Sequence, residues 1–255
     1  MTNFSDSPLL VLTLSLLMMW ASGWTGDQIR RRRRTQEDTE HEYVGVIEGA
    51  VLALLALIIG FSFSMAVGRY DQRKNYEEAE ANAIGTEYVR ADLLPPADAS
   101  RVRQLLKSYL DQRVLFYTTR DQGKLEQVEA ATGRLQRDLW SAVRASAAAQ
   151  PTPVAALAVS GMNDVLNSQG YTQAAWWNRI PTAAWCLMVV TAIACNGLVG
   201  YNARQPRTRP RTFFILPAIV AVSFFLIADL DSPRGGVIRV APQNLISLSG
   251  LMHAE

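Results

Sequence analysis

The residues best placed to do chemistry lie in one apolar run, residues 43–67. Glu48 stands inside this run, and a charged side chain at membrane depth is costly and usually serves an ion pathway or a proton relay. Glu48 is also near enough to the end of the run to pair with arginines of the neighbouring loop. Phe61 and Phe63 could form a hydrophobic constriction that gates a pore by dewetting, or could pack against lipid or core. We therefore take Glu48, Phe61 and Phe63 as candidate pore or constriction residues.

Polar residues crowd the segment that follows the run. If several copies of the chain assemble, these residues could ring a vestibule just outside the membrane. In a single copy they would form the solvated face of a helix. The candidate vestibule residues are Glu80, Asn82, Glu87 and Arg90.

The sequence has no arrangement of residues suited to catalysis. It lacks a Walker-type glycine loop, an HExxH motif and a Gly-x-Ser-x-Gly elbow. Its two histidines, His41 and His253, lie in a polar loop and at the C-terminus, away from any cluster of metal ligands. Cys186 and Cys195 fall on opposite faces of one apolar helix and cannot pair within it. We predict no catalytic, cofactor or metal site, and no enzyme activity.

Four apolar blocks must position the candidate residues. They cover residues 8–24, 43–67, 180–201 and 213–230. A helix rises about 1.5 Å per residue and a hydrocarbon core is about 30 Å thick, so blocks of this length are long enough to span a bilayer. We predict an all-α integral membrane protein with four transmembrane helices in two hairpins. A helical extramembrane bundle separates the second span from the third.

These blocks divide the chain into four predicted regions. Residues 1–69 form the first transmembrane hairpin, 70–178 the helical extramembrane domain, 179–231 the second hairpin and 232–255 a C-terminal tail. Prolines 95–96 and 151–153 and Gly123 should break the extramembrane helices, and Ser100 is a plausible N-cap. Residues 244–252 could form a short amphipathic piece at the membrane surface.

Small side chains line one flank of the second span. Their spacing of three and four residues puts them on one helical face, where they let a neighbouring helix approach closely. We predict a helix-packing stripe made of Gly45, Gly49, Ala53, Ala56, Gly60 and Ser64.

Arginines predict the orientation of the chain. Arg30–Arg34 follow the first span, and four more arginines occupy the short loop between the third and fourth spans. Because short loops rich in arginine stay in the cytoplasm, we expect loops 25–42 and 202–212 to be cytoplasmic. Residues 70–178 then lie outside. The arginines face anionic lipid headgroups, so we predict membrane lipid and no nucleic acid as a partner.

Several motifs resemble those of a known family. The stretches IGFSFSMAVGRYDQRKN and EANAIGTEYVRADLLP, with NRIPTAAW and LDSPRGGVIRVAP later, are similar to the bacterial bestrophin-like membrane proteins, a domain of unknown function. The resemblance covers about residues 43–247. It implies a multi-span protein of the bacterial inner membrane. The family's name implies kinship with bestrophins, which are pentameric anion channels with four membrane helices and a large helical cytosolic part. The arginine placement predicts the opposite orientation.

Two functions are consistent with these features. The first is a homo-oligomeric, channel-like inner-membrane protein that conducts small inorganic ions. Family analogy alone implies that the ions are anions and that the oligomer is a pentamer. The alternative is a non-conducting membrane scaffold or sensor whose helical bundle binds a partner or an envelope component.

Overall fold

The computed structural model describes residues 7–32, 38–202 and 209–254, with side chains for 7–32, 44–202 and 214–254. Over these residues the chain forms α-helices and one short 3-10 turn, Ala91–Leu93, and no strand. The α-helices are α1 (Pro8–Arg32), α2 (Asp38–Arg90), α3 (Pro96–Thr118), α4 (Gln122–Ala149), α5 (Pro153–Trp177), α6 (Thr182–Asn202), α7 (Arg209–Asp231) and α8 (Gln243–Ala254).

Four helical stretches are long and apolar enough to cross a membrane. They lie in Pro8–Arg32, Val44–Leu93, Pro153–Asn202 and Phe214–Asp231. The prediction of an all-α chain with four long apolar helices is therefore confirmed over the described residues. The pairing of these helices into two hairpins and the bounds of the predicted regions stay predictions.

The chain divides into two compact units. Unit 1 is Met1–Tyr70 with Arg179–Arg239, and unit 2 is Asp71–Asn178 with Val240–Glu255. Helix α2 belongs to both, since it runs without a break from Asp38 to Arg90. The chain after residue 240, expected to be part of a separate tail, is grouped with unit 2, where α8 packs on α3.

Unit 1 is built around a close crossing of α1 and α6. A Cβ on Gly26 would lie 2.1 Å from the carbonyl oxygen of Gly197, and one on Gly200 would lie 2.1 Å from that of Gly23. Ser22 Oγ donates to the carbonyl of Ile193 at 2.6 Å. Helices in a membrane associate through such small residues and hydrogen bonds, because lipid supplies no hydrophobic force between them. Helix α1 also packs on α7.

Two aspartates at the end of α7 hold the backbone of neighbouring segments. Asp229 holds the segment that follows α7, and Asp231 holds the segment that precedes α6. The carboxylate of Asp229 accepts backbone N–H groups of Val237 at 2.7 Å and Ile238 at 2.8 Å. The carboxylate of Asp231 accepts the backbone N–H of Ile180 at 3.0 Å, just before α6. Both carboxylates are buried and satisfy backbone donors that would otherwise lack partners.

The helices of unit 2 break at the expected prolines, with two differences. The break between α3 and α4 lies at residues 119–121, and Gly123, which was predicted to break the helix, lies inside α4. Helix α3 begins at Pro96, four residues before the predicted cap at Ser100. Proline fits the first turn because the N–H it lacks would have had no partner there, and Ser100 Oγ instead donates to the carbonyl of Pro96 at 2.9 Å. Asp121 caps α4 by accepting the N–H of Lys124 at 2.7 Å. Thr152 caps α5 by accepting that of Ala155 at 3.0 Å.

Candidate functional site

Helix α2 carries one line of exposed positions along the whole length for which side chains are described. Positions three or four residues apart share one side of a helix, so these positions form a single stripe. In unit 1 the exposed positions are Val46, Ala50, Ala53, Leu57, Phe61, Ser64 and Gly68. In unit 2 they continue at the same spacing with Asp71, Asn75, Glu78, Asn82, Thr86 and Val89. We call these thirteen residues the open stripe.

The predicted helix-packing stripe runs along the edge of the open stripe. Five of its six residues, Gly49, Ala53, Ala56, Gly60 and Ser64, are exposed, and Gly45 is half-buried. A Cβ built on Gly49 or Gly60 would meet no atom within 4 Å. Small residues are found where another backbone comes close. Within the described chain nothing comes close to these two glycines, so the assignment of this stripe to helix packing stays a prediction.

The candidate constriction residues do not share one face of α2. Residues two apart project about 200° from each other around a helix, since successive residues turn about 100°. Phe61 is 66% exposed and lies on the open stripe. Phe63 is 40% exposed and lines an apolar groove of about 430 Å³ between α2 and α7, whose walls include Leu55, Ile59 and Val220. Phe61 is therefore the more exposed of the two and lies outside this groove, and the role of either residue in a constriction stays a prediction.

Glu48 has a polar partner inside unit 1. Its Oε2 accepts a hydrogen bond from Nδ2 of Asn202, the last residue of α6, at 2.8 Å. The sequence predicted that Glu48 serves an ion pathway or pairs with arginines of the neighbouring loop, and neither role includes Asn202. The arginines of loop 202–212 lie outside the described side chains, as do Arg33 and Arg34.

The structure separates the four candidate vestibule residues. Asn82 is exposed on the open stripe and Arg90 is half-buried. Glu80 and Glu87 are both 0% exposed and lie on the opposite side of α2, seven residues apart and therefore two helical turns from each other. Their carboxylates point into unit 2 because α3 and α5 cover that side of the helix. In a single chain, Asn82 alone of the four is freely accessible.

Glu80 is the centre of a buried polar network that joins three helices. Its Oε1 accepts from Nε of Arg113 on α3 in a buried salt bridge. Its Oε2 accepts from Thr172 Oγ1 on α5 at 3.0 Å and from the Tyr117 hydroxyl at 3.4 Å. The Arg113 guanidinium also lies 4.4 Å from the centre of the Phe116 ring. A buried ion pair is tolerated when further hydrogen bonds satisfy its members, and Glu80 accepts two such bonds, from Thr172 and Tyr117.

Burial and charge act in opposite directions on this network. Burial alone would lower the pKa of Arg113, but the Glu80 carboxylate together with the neighbouring Tyr109 and Tyr117 outweighs it, and the pKa of Arg113 is raised. Burial raises the pKa of Tyr117, and the neighbouring Glu80 carboxylate raises it further. Arg113 therefore stays charged and Tyr117 stays neutral at every physiological pH.

A second buried carboxylate on α2 holds the C-terminal helix. Glu77 accepts the backbone N–H of Leu245 at 3.0 Å and the Asn244 side-chain amide at 2.7 Å, both in the first turn of α8. At the other end of α8, His253 Nε2 lies 3.2 Å from the Asp111 carboxylate on α3. Glu77 thus supplies the cap for helix N-terminal donors that have no partner within α8.

Residue spacing alone contained a signal for these buried carboxylates. Arg73, Glu77, Glu80 and Glu87 recur at the same spacing as the buried apolar residue Ile84, so they share its face. Sequence reasoning placed Glu80 and Glu87 in a vestibule or on a solvated helix face, because isolated charges are almost never buried. The partners that make burial possible, Arg113 and Thr172, lie far along the chain.

A family model and several solved structures match this chain. The family model of the Bestrophin-like domain matches residues 13–245. The chain belongs to the Bestrophin-like family. The resemblance predicted from the motifs is thereby confirmed, and the four apolar helices make this a Bestrophin-like membrane protein.

Solved structures share its fold. A bacterial bestrophin homologue from Klebsiella pneumoniae superimposes with a TM-score of 0.65 at 15% identity, covering 95% of this chain and 98% of that one. A variant of it with one tryptophan replaced by alanine gives 0.67 at 13% identity, covering 96% and 98%. A variant with one leucine replaced by threonine gives 0.65 at 14%, covering 95% and 99%. At such identities the likeness establishes the fold of this Bestrophin-like chain. No curated protein matches it.

Proposed function

We propose that this Bestrophin-like protein is a homo-oligomeric channel of the bacterial inner membrane and that α2 lines its path. The observation that carries the proposal is the open stripe. It is one exposed helical side that runs through the apolar part of α2 and on into its polar part. An oligomer that turns this side toward a common axis would place apolar and small residues at membrane depth and polar residues beyond it.

The composition of the open stripe supports an aqueous path rather than lipid contact. Its membrane part includes Ala50, Ala53, Ser64 and Gly68, which offer lipid little apolar surface. Leu57 and Phe61 would form the apolar constriction, where narrowing and dewetting can gate flow. Beyond the membrane, Asn75, Asn82 and Thr86 supply amide and hydroxyl groups to hydrated ions.

Family relationship supports two further parts of the proposal. We propose a pentamer, and small anions as the permeant ions, by analogy with bestrophins. Asp71 and Glu78 on the same stripe carry negative charge, so the choice of ion depends on the family relationship and not on the charge of the stripe. The two hairpins would each pair two spans, 8–24 with 43–67 and 180–201 with 213–230. The packing of α1 on both α6 and α7 is compatible with such a bundle.

Ion flux through liposomes tests the proposal. The purified protein is reconstituted, and flux is recorded under chloride and potassium gradients while native mass spectrometry gives the subunit number. Chloride flux through a pentamer is the expected result. An oligomer that passes no ion under varied voltage, pH and calcium would overturn the channel and favour the non-conducting scaffold.

A pair of tryptophan variants tests the position of the path. Ala53→Trp places a large ring on the open stripe, and we expect it to reduce flux at least tenfold, corresponding to about 1.4 kcal/mol. The matched control is Leu17→Trp, at an exposed position of α1, which should conduct like the wild type. Equal flux through both variants would show that α2 does not line the path, even if the protein conducts.

A further inference from the structure

Glu87 is a buried carboxylate that the proposed path does not use. It is 0% exposed, and neither of its carboxylate oxygens has a hydrogen-bond partner among the described residues. This distinguishes it from Glu77 and Glu80, which accept hydrogen bonds from α8 and from α3 and α5. An ionised carboxylate without partners is costly in such a place, so the neutral acid is the form that fits.

The surroundings of Glu87 are fitted closely to its side chain. A Cβ on Gly161 of α5 would lie 2.1 Å from Oε2 of Glu87 and 2.7 Å from a terminal guanidinium nitrogen of Arg90. The bare backbone at Gly161 therefore leaves the space that both side chains occupy. This contact is the point where α2 and α5 approach each other next to the carboxyl group.

Two charged groups act on Glu87, one from α2 and one from α5. Arg90 lies on α2 itself and Asp164 on α5. On α3, Arg103 forms an ion pair with Asp92 of the 3-10 turn and donates to the backbone carbonyl of Tyr88 at 3.4 Å. Arg103 is therefore bound to Asp92 and Tyr88, and Arg90 is the positive charge that acts on Glu87.

These groups leave Glu87 able to titrate near neutral pH. Burial raises the pKa of Glu87 to about 8, while Arg90 lowers it and Asp164 raises it by smaller amounts. Glu87 lies twenty residues beyond the apolar run 43–67, in unit 2 and outside the membrane-spanning segments.

We propose that Glu87 is a proton-sensitive contact between α2 and α5, closed when the carboxyl group is protonated against Gly161 and released when it ionises. Releasing it lets the carboxylate reach water, which its complete burial in the closed contact prevents. Because α2 also carries the open stripe, a pH change would act on the helix proposed to line the path. The contact lies within unit 2, and it can be tested without measuring ion flux.

The sign of the pH dependence follows from linkage. A carboxyl group with a raised pKa in the closed state binds a proton that the open state has already lost. The contact is therefore strongest below about 4.5, the ordinary value, and weakens until the pH reaches about 8. Within that window the opening equilibrium should rise roughly tenfold per pH unit, and it should level off above it.

Hydrogen exchange of the full-length protein in detergent tests this contact. Exchange of the α5 peptide containing Gly161 is followed at several pH values between 4.5 and 8. The profile of Glu87→Gln, which is neutral at every pH, corrects for the pH dependence of exchange itself. Opening of the wild type should rise steeply across the window relative to this variant. Glu129→Gln, at an exposed position on α4, should behave like the wild type.

Infrared spectroscopy gives a second readout that needs no assumption about folding of the variant. The wild type at neutral pH should show the carbonyl band of a protonated carboxyl group, and the band should disappear as the pH passes 8. Glu87→Gln should lack the band, whereas Glu129→Gln should keep it. Wild-type opening that does not change with pH, or a protonated band that survives Glu87→Gln, would overturn the proposal.

Discussion

At the scale of single residues, the Glu80–Arg113 pair determines how α2 is held in unit 2. Glu80 is completely buried and Arg113 is 1% exposed, so neither charge has water to replace a missing partner. Exposed ion pairs contribute about 0–1 kcal/mol, whereas breaking a buried pair costs about 3–5 kcal/mol. The difference arises because removing one partner leaves an uncompensated charge inside the protein.

We expect Arg113→Met to lower the free energy of unfolding by about 3–5 kcal/mol. Methionine keeps most of the apolar stem but leaves Glu80 without its cation. Adding Glu80→Gln should recover part of the loss, because the remaining group is then neutral. Unfolding in detergent measures these changes, with Arg101→Met, at an exposed position of α3, as the control. A loss below about 1 kcal/mol would show that Glu80 reaches water.

At the scale of the helices, the close contact of α1 and α6 is the part of unit 1 most sensitive to side-chain volume. Gly23, Gly26, Gly197 and Gly200 lie where the two backbones come together, and the obstacle to a larger residue at Gly26 or Gly200 is a carbonyl group of the other helix. A carbonyl cannot rotate away as the end of a flexible side chain can. The two helices must therefore separate to admit even one methyl group.

Two glycine substitutions test this contact directly. Gly200→Ala should lower the stability of the protein by about 1–3 kcal/mol, the usual cost of overpacking. Gly49→Ala adds the same methyl group to α2, where no atom lies within 4 Å, and should leave the stability of a single chain unchanged or slightly higher. Thermal unfolding in detergent compares the two. Equal effects would contradict the close approach of α1 and α6.

The helices were easier to predict than their faces. Apolar runs indicated α1, α2, α6 and α7, and proline pairs indicated the ends of helices in unit 2, because both signals are local. Which side of α2 is buried beyond the membrane depends on Arg113 and Thr172, which are distant in sequence and come close only in the fold. The separation of Phe61 and Phe63 onto different sides was available from their spacing alone.

At the scale of the whole molecule, orientation in the membrane depends on a few arginines. The carboxylate oxygens of Asp27 lie 2.9 Å from Nη2 of Arg30 and 2.9 Å from Nε of Arg31. Two charges of the first arginine-rich segment therefore have an acidic partner. Acidic residues contribute little to orientation, and the arginine excess of loops 25–42 and 202–212 therefore still predicts that both are cytoplasmic. The bestrophin-like relationship implies the opposite side for the residues between the second and third spans.

Cysteine labelling decides between these orientations. In a background without Cys186 and Cys195, Glu126→Cys introduces an exposed thiol on α4, whereas Val128→Cys introduces a buried one two residues away. With a membrane-impermeant maleimide on intact spheroplasts, the first variant should be labelled and the second should not, because α4 would then lie outside. If the thiol at position 126 reacts only after lysis, unit 2 is cytoplasmic. The arginines paired with Asp27 would then not act as an orientation signal, and the polar part of the open stripe would lie on the cytoplasmic side.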